Sequence, residues 1–279
     1  MYKVVKVLNN NTILATKDNE EVIIMYKGIG FSKKPGFLFE VPASAKKYLM
    51  QKNYKAKMEA NHVIDYIEPV YLEIAAEIIR LATQKFAEVD QDILIPLADH
   101  IYFCIQRMKD NIMPLNPFTQ DIRLLFPDEY EVALQGKDVI KKFISQTIND
   151  DEVGFITLHI HSAISSNKVA ETLEATRIIH DGIIKLQTDL NIKIDVESIS
   201  YVRLMNHIKF LILRINKNEK LQMDISEFTK EKFPFAYEQA CYMCENLSKA
   251  LNKQLPESEV GYLALHLERI LSSTVMNNK

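Results

Sequence analysis

Residues 99–107 read DHIYFCIQR and residues 206–214 read NHIKFLILR. Five of the nine positions agree, and His100 and His207 fall in the same slot. A second block returns at the same offset: EVGFITLH at 152–159 and EVGYLALH at 259–266, closing on His159 and His266. Between them FPDEYE at 126–131 answers FPFAYE at 233–238. Three matches at one offset mark an internal duplication. Each copy holds two histidines, and the step from His100 to His159 equals the step from His207 to His266.

The duplicated region has helical periodicity. Leu97, Ile101, Cys104 and Met108 form one stripe and Val153, Ile156, Ile160 and Ala163 another. At about 100° per residue, His100 lies roughly 70° from the centre of its stripe, and the other three histidines hold the same edge position. Pro127 opens a helix expected to run to about Gln146. Asn149 followed by Glu152 fits a capping box for a helix over about 150–165, and Pro256 suits the first turn of the last helix. The expectation is two all-α domains of about five helices each, over residues 62–168 and 169–279. From the residues alone, the four histidines read either as ordinary core-edge side chains or as phosphoryl acceptors. A neutral imidazole nitrogen is a nucleophile near neutral pH, and a transferred phosphoryl group would make the site dianionic.

Residues 1–55 differ in character. They hold ten lysines against four acids, whereas the whole chain carries a net charge of −3. Short alternating runs at Lys3–Leu8, Thr12–Thr16, Val22–Met25 and Phe37–Val41 predict four strands, with a turn at Asn9-Asn10-Asn11. Tyr26-Lys27-Gly28-Ile29-Gly30-Phe31-Ser32-Lys33-Lys34 places two aromatics among lysines and glycines. Lysines neutralise phosphates, aromatics stack on unpaired bases and asparagine amides reach base or ribose edges, so this composition suits RNA. The competing expectation is a small basic β-domain with solvated lysines and aromatics in its core. So few short strands call for dimerisation or other support. Around Ala43–Asn61 the pattern turns polar and lysine-rich and reads as a connector, partly helical.

Lys6-Val-Leu-Asn-Asn-Asn11 followed by Gly28-Ile-Gly-Phe-Ser-Lys-Lys34 resembles the co-antiterminator RNA-binding domain of the BglG/SacY transcription antiterminators. The duplicated half resembles their two phosphotransferase-system regulation domains, and the match covers nearly the whole chain in order. Gly-Ile-Gly-Phe and Leu158-His-Ile-His-Ser162 are most similar to the glucose-operon members. The resemblance implies an α+β multidomain protein: a dimerising antiparallel β-domain over residues 1–55, then two helical bundles. It implies that Lys6, Asn10, Asn11, Tyr26, Lys27, Gly28, Phe31 and Ser32 contact a leader-mRNA hairpin. It implies too that His100, His159, His207 and His266 are phosphorylated by the phosphocarrier protein or a sugar-specific enzyme II. Tyr26 stands where the family commonly has a small residue, and Pro35-Gly36-Phe37-Leu38-Phe39 replaces a more polar loop. Asp99 beside His100 fits the pattern, while its counterpart is Asn206.

The same reading implies a cytoplasmic homodimer that is not an enzyme and needs no cofactor or metal. No apolar leader and no run of about 18 apolar residues appears, and three cysteines do not form a disulfide framework. His159-x-His161 points about 200° apart on a helix, Cys241-x-x-Cys244 lacks a second pair, and His62 and His180 read as surface residues. Two rivals remain: a histidine phosphoryl-carrier protein, and a DNA-binding activator with the same regulatory domains. The second would need a helix-turn-helix where residues 1–42 read as strands.

Overall fold

The computed structural model describes residues 1–18, 20–49, 63–112, 115–165 and 168–277, the side chains of 275–277 excepted. The chain forms two compact units, Met1–Leu115 with Glu131–Ser166, and Asn116–Tyr130 with Asn167–Lys279.

The first unit begins with an antiparallel sheet of β1 (Tyr2–Val7), β2 (Thr12–Lys17), β3 (Glu20–Met25), β4 (Leu38–Phe39) and β5 (Lys46–Leu49). Their order is β4-β1-β2-β3-β5. Five strands stand where four were expected. The segment read as the start of a connector supplies β5, whose Tyr48 pairs with Ile23. Only Tyr48 of its four residues is buried, so the strand looks polar by composition although one side chain anchors it. The rest of that expected connector, 50–61, lies outside the described residues, as does His62. One face of the sheet packs Val4, Ile13, Ala15, Val22 and Ile24 against Ile29, Phe39 and Ala45. Leu14, Ile23 and Tyr48, of opposite parity, are buried as well.

The helices are α1 (Pro69–Lys85), α2 (Leu94–Lys109), α3 (Thr119–Leu125), α4 (Pro127–Ile144), α5 (Asp150–Ile164), α6 (Val169–Leu190), α7 (Ile199–Lys217), α8 (Ser226–Lys232), α9 (Pro234–Leu251) and α10 (Glu257–Asn277). The duplication extends to the ends of individual elements. Helices α3 and α8, and likewise α4 and α9, start and stop at the offset that separates the repeated blocks. Packing differs in detail between the copies. Gly136 on α4 accepts Ile78 of α1 so closely that a Cβ would lie 3.1 Å from Ile78 Cδ1. At the matching position of α9, Met243 fills the space beside Gly182 of α6. The small residue has changed helices, and the space is filled both times.

In the second unit α10 packs against α7, α8 and α9. Gly261 of the EVG block lets it approach the Ser226 backbone, where a Cβ would come within 2.9 Å. Among the described residues no helix is long and apolar enough to cross a membrane.

Candidate functional sites

The Asn turn and the glycine segment form one connected surface on the sheet. Asn9 Oδ1 accepts from Asn11 N–H at 2.7 Å, and Asn11 Oδ1 accepts from Gly28 N–H at 3.0 Å. Backbone bonds from Tyr26 N–H to Asn11 O and from Gly30 N–H to Asn10 O complete the tie. Gly30 has no alternative here: a Cβ would lie 2.0 Å from Asn9 O. Gly28 adopts the left-handed φ of +76° that favours glycine. With the loop fixed, Phe31 stands 70% exposed and Tyr26 41% exposed. The expectation that these aromatics belong to the core therefore fails. Asn10, Lys27 and Ser32 are exposed or half-exposed beside them, while Lys6 is half-buried.

This surface meets α1 and the residues just before it. Asn9 Nδ2 donates to Glu73 Oε1 at 2.8 Å, and Lys6 Nζ donates to Asp65 Oδ1 at 2.9 Å. A shallow cleft of about 340 Å³ is lined by residues including Asn11, Tyr26, Lys27 and Glu73. Asn11 spends its side-chain oxygen within the loop, which leaves its amide N–H groups as donors.

The second pattern is the histidines. Helices α2 and α5 bring the rings of His100 and His159 to 5.1 Å between centroids. Helices α7 and α10 bring those of His207 and His266 to 4.7 Å. The repeated spacing is thus a contact in both copies. Each pair shares a buried glutamate and an arginine whose pairing the sequence reading did not single out. In the first copy Arg107 Nη2 donates to Glu152 Oε1 at 2.8 Å, and Glu152 Oε2 lies 3.1 Å from His100 Nε2 without hydrogen-bond alignment. In the second copy Arg214 grips Glu259 with two donors, both at 2.7 Å, and His207 Nε2 is 4.0 Å from Glu259 Oε2. The repeats carry a signal for this pair: the first repeated block ends in Arg and the second begins with Glu. The expected capping box is half formed. Asn149 Oδ1 accepts from Glu152 N–H, but the Glu152 carboxylate turns to Arg107 instead of reaching back.

Burial dominates the electrostatics. It raises the Glu152 carboxyl, yet His100 and Arg107 beside it outweigh this and hold it below the usual range. Burial, then the neighbouring His100, depresses His159 to about 3, and burial, then His266 and Arg214, depresses His207 to about 3. Burial also lowers His266, with Arg269 and Arg203 adding to it. His159 is half-buried as a residue, but its Nδ1 is sealed. His100 Nε2, His159 Nδ1, His207 Nε2 and His266 Nδ1 are buried without a hydrogen-bond partner among the described residues. Asp99 accepts from the Tyr66 hydroxyl.

Cys104 and Cys244 are buried, which pushes both thiols up to about 12, and no metal-binding group of His, Cys, Asp or Glu occurs among the described residues. His180 departs from the expectation of a surface residue: it is half-buried and bonded to Asp121.

Family models agree with this geometry. Residues 2–57 match the CAT RNA binding domain, and residues 72–163 and 181–270 each match the PRD domain. Protein GlcT of Staphylococcus haemolyticus (strain JCSC1435) is 33% identical over 269 residues, 95% of each chain. Protein GlcT of Staphylococcus aureus (strain bovine RF122 / ET3-1) is 31% identical over 270 residues, again 95% of each. A crystal structure of GlcT CAT-PRDI superposes with a TM-score of 0.51 at 33% identity, covering 58% of this chain and 98% of that one. A basic β-domain carrying an exposed aromatic loop, followed by a duplicated helical unit with paired histidines, thus has its counterpart in one family. The chain belongs to the BglG/SacY transcription antiterminators, RNA-binding regulators in which a CAT domain precedes two PRD domains under phosphotransferase-system control.

Proposed function

We propose that residues 1–55 bind a partly paired hairpin in the leader mRNA of a sugar-uptake operon, with glucose as the favoured sugar. The RNA face consists of Lys6, Asn10, Asn11, Tyr26, Lys27, Gly28, Phe31 and Ser32, presented by a homodimer in the cytoplasm. The protein acts as a regulator and not as an enzyme. It binds one of two exclusive RNA folds and shifts their population by its differential affinity. The observation that carries this reading is the rigid Asn–Gly loop holding Phe31 and Tyr26 out of the core beside Lys27. An apolar ring fixed in solvent by a specific bond network is what base stacking requires.

Residues 62–168 and 169–279 form the two regulatory domains. Their acceptors are His100, His159, His207 and His266, with the phosphocarrier protein and a sugar-specific enzyme II as donors. The supporting observation is that each sealed pair holds unpartnered ring nitrogens beside a buried carboxylate. A phosphoryl group on such a ring sets new negative charge against Glu152 or Glu259. At a separation of about 4 Å this costs about 4 kcal/mol per unit charge at an effective dielectric of about 20. The helix pair must then open or hand its arginine to the phosphate, which is a switch.

The test is a gel-shift and salt titration of the full chain against single-stranded RNA, a panel of bulged RNA hairpins and duplex DNA. Tight binding to a hairpin with unpaired bases, weakening steeply with salt, is expected. Equal binding to all three would overturn the RNA reading. Rapid onward transfer of phosphate to a protein acceptor would favour the phosphoryl-carrier rival.

A further inference from the structure

His180 lies on α6, outside the repeated blocks, and is held differently from the four repeat histidines. Its Nδ1 is 2.8 Å from Asp121 Oδ2. Asp121, on α3, is 3% exposed, and its other oxygen accepts from the Tyr201 hydroxyl at 2.5 Å. Burial, then Asp121 itself, pushes the Tyr201 phenol well above its ordinary value. Tyr201 therefore remains a donor and Asp121 an acceptor. A carboxylate facing Nδ1 selects the tautomer with the proton there and leaves the lone pair on Nε2. The Phe118 ring stands edge-on to the imidazole at 5.2 Å and 74°, which limits its rotation. The His180 side chain is 26% exposed, and its one polar contact among the described residues is made through Nδ1.

We propose that His180 is a phosphoryl acceptor at Nε2, a modification site additional to the four repeat histidines. Oriented carboxylate, fixed tautomer and reachable lone pair are the features that make an imidazole a nucleophile. The His207 side chain, by contrast, is only 9% exposed. In the transfer the Nε2 lone pair forms the new P–N bond as the donor's P–N bond breaks, and the donor nitrogen leaves with that electron pair. The Nδ1 proton stays on the ring, where Asp121 stabilises the positive charge that develops. A protein phosphohistidine is the donor class, and the leaving group is then its imidazole. The assignment depends neither on RNA binding nor on the repeat histidines being acceptors.

Potassium phosphoramidate tests it directly. This small donor transfers its phosphoryl group to histidine and releases ammonia, so no partner protein is needed. The full chain is treated near pH 7.5, and phosphohistidines are mapped by mass spectrometry at alkaline pH, with 31P NMR to identify the isomer. His180, 26% exposed, is expected to label at least about tenfold faster than His207, which is 9% exposed, and as the Nε2 isomer. Asp121→Asn should slow labelling at His180 by about tenfold or more, in line with removing a carboxylate that orients a histidine. Labelling confined to the repeat histidines, an Nδ1 isomer at His180, or an unchanged rate in Asp121→Asn would each overturn the proposal. If circular dichroism shows that Asp121→Asn unfolds, the isomer and the order of labelling in the unmodified chain decide alone.

Discussion

Acidification should destabilise the second unit through His207. The ring is 9% exposed and stacks on His266 and Tyr262. Its nearest carboxylate, Glu259, is already engaged by two donors of Arg214. A proton on His207 would therefore gain little from Glu259 and face Arg214 as a like charge. Burial, with His266 and Arg214 adding to it, lowers the folded pKa from 6.5 to about 3. The sign follows from linkage. Below about pH 6.5 the unfolded chain binds a proton that the folded chain refuses, so stability is complete above that pH and lost progressively towards pH 3. At pH 5 the unfolded ring lies about 1.5 units below its pKa, a loss of about 2 kcal/mol at about 1.36 kcal/mol per unit. That figure holds for any folded value well below 5. Urea unfolding at pH 7.5 and pH 5, with the second unit followed by hydrogen exchange of α7 and α10 peptides, gives the wild-type loss. His207→Gln removes this proton uptake while leaving all carboxylates in place, so the variant should be spared about 2 kcal/mol of the loss over the same interval. Equal losses in both proteins would show that His207 is not the buried neutral ring described here.

Gly30→Ala forces a Cβ into Asn9 O and should cost about 1–3 kcal/mol as an overpacked site; unchanged chemical denaturation of the sheet would contradict it. Phe31→Ala should leave stability unaltered, because the ring is 70% exposed, yet weaken hairpin RNA binding by about 1–3 kcal/mol in a gel-shift assay. Glu259→Ala strands Arg214, which is 18% exposed, and should cost about 3–5 kcal/mol. Glu152→Ala should cost less, since Arg107 is 32% exposed and loses one contact; comparable urea midpoints would refute the difference. Asp65→Asn breaks an ion pair whose members are 44% and 74% exposed, so its stability should change by less than about 1 kcal/mol.

Much of this architecture was legible because duplication supplies an internal comparison. The repeated histidines, the helices they lie on and the placement of a basic β-domain before them all follow from spacing and periodicity. What escaped has physical reasons. Strand β5 pairs along β3 but buries only Tyr48, so Lys46 and Lys47 on it look like solvated connector. The exposure of Phe31 depends on the Asn9–Asn11–Gly28 bonds, which composition does not display. The ties of His180 and of Tyr201 to Asp121 join positions far apart in the chain, and neither occurs twice. Glu152 is legible as a helix-cap residue, but its partner Arg107 lies 45 residues away and no local pattern links them.

The Arg–Glu pair changes what the duplication means. Both copies keep the same four side-chain types, so the sequence distinguishes the pairs only by their neighbours, Asp99 in the first copy and Asn206 in the second. In the first copy, however, Glu152 bonds Arg107 through one oxygen, its other oxygen lies beside the His100 ring without a bond, and Arg107 Nε is left buried and unpartnered among the described residues. In the second copy Arg214 takes both oxygens of Glu259, its Nε included. On the proposed reading, a phosphoryl group at the first pair would meet an N–H sealed from water and not engaged, whereas one at the second would first have to break two charge-assisted bonds, each of the stronger kind. The chemistry on offer is the same in the two copies, and the work needed to use it is not. A difference in response between the copies would therefore need no difference among the histidines themselves: one guanidinium's choice of one carboxylate oxygen or two would suffice.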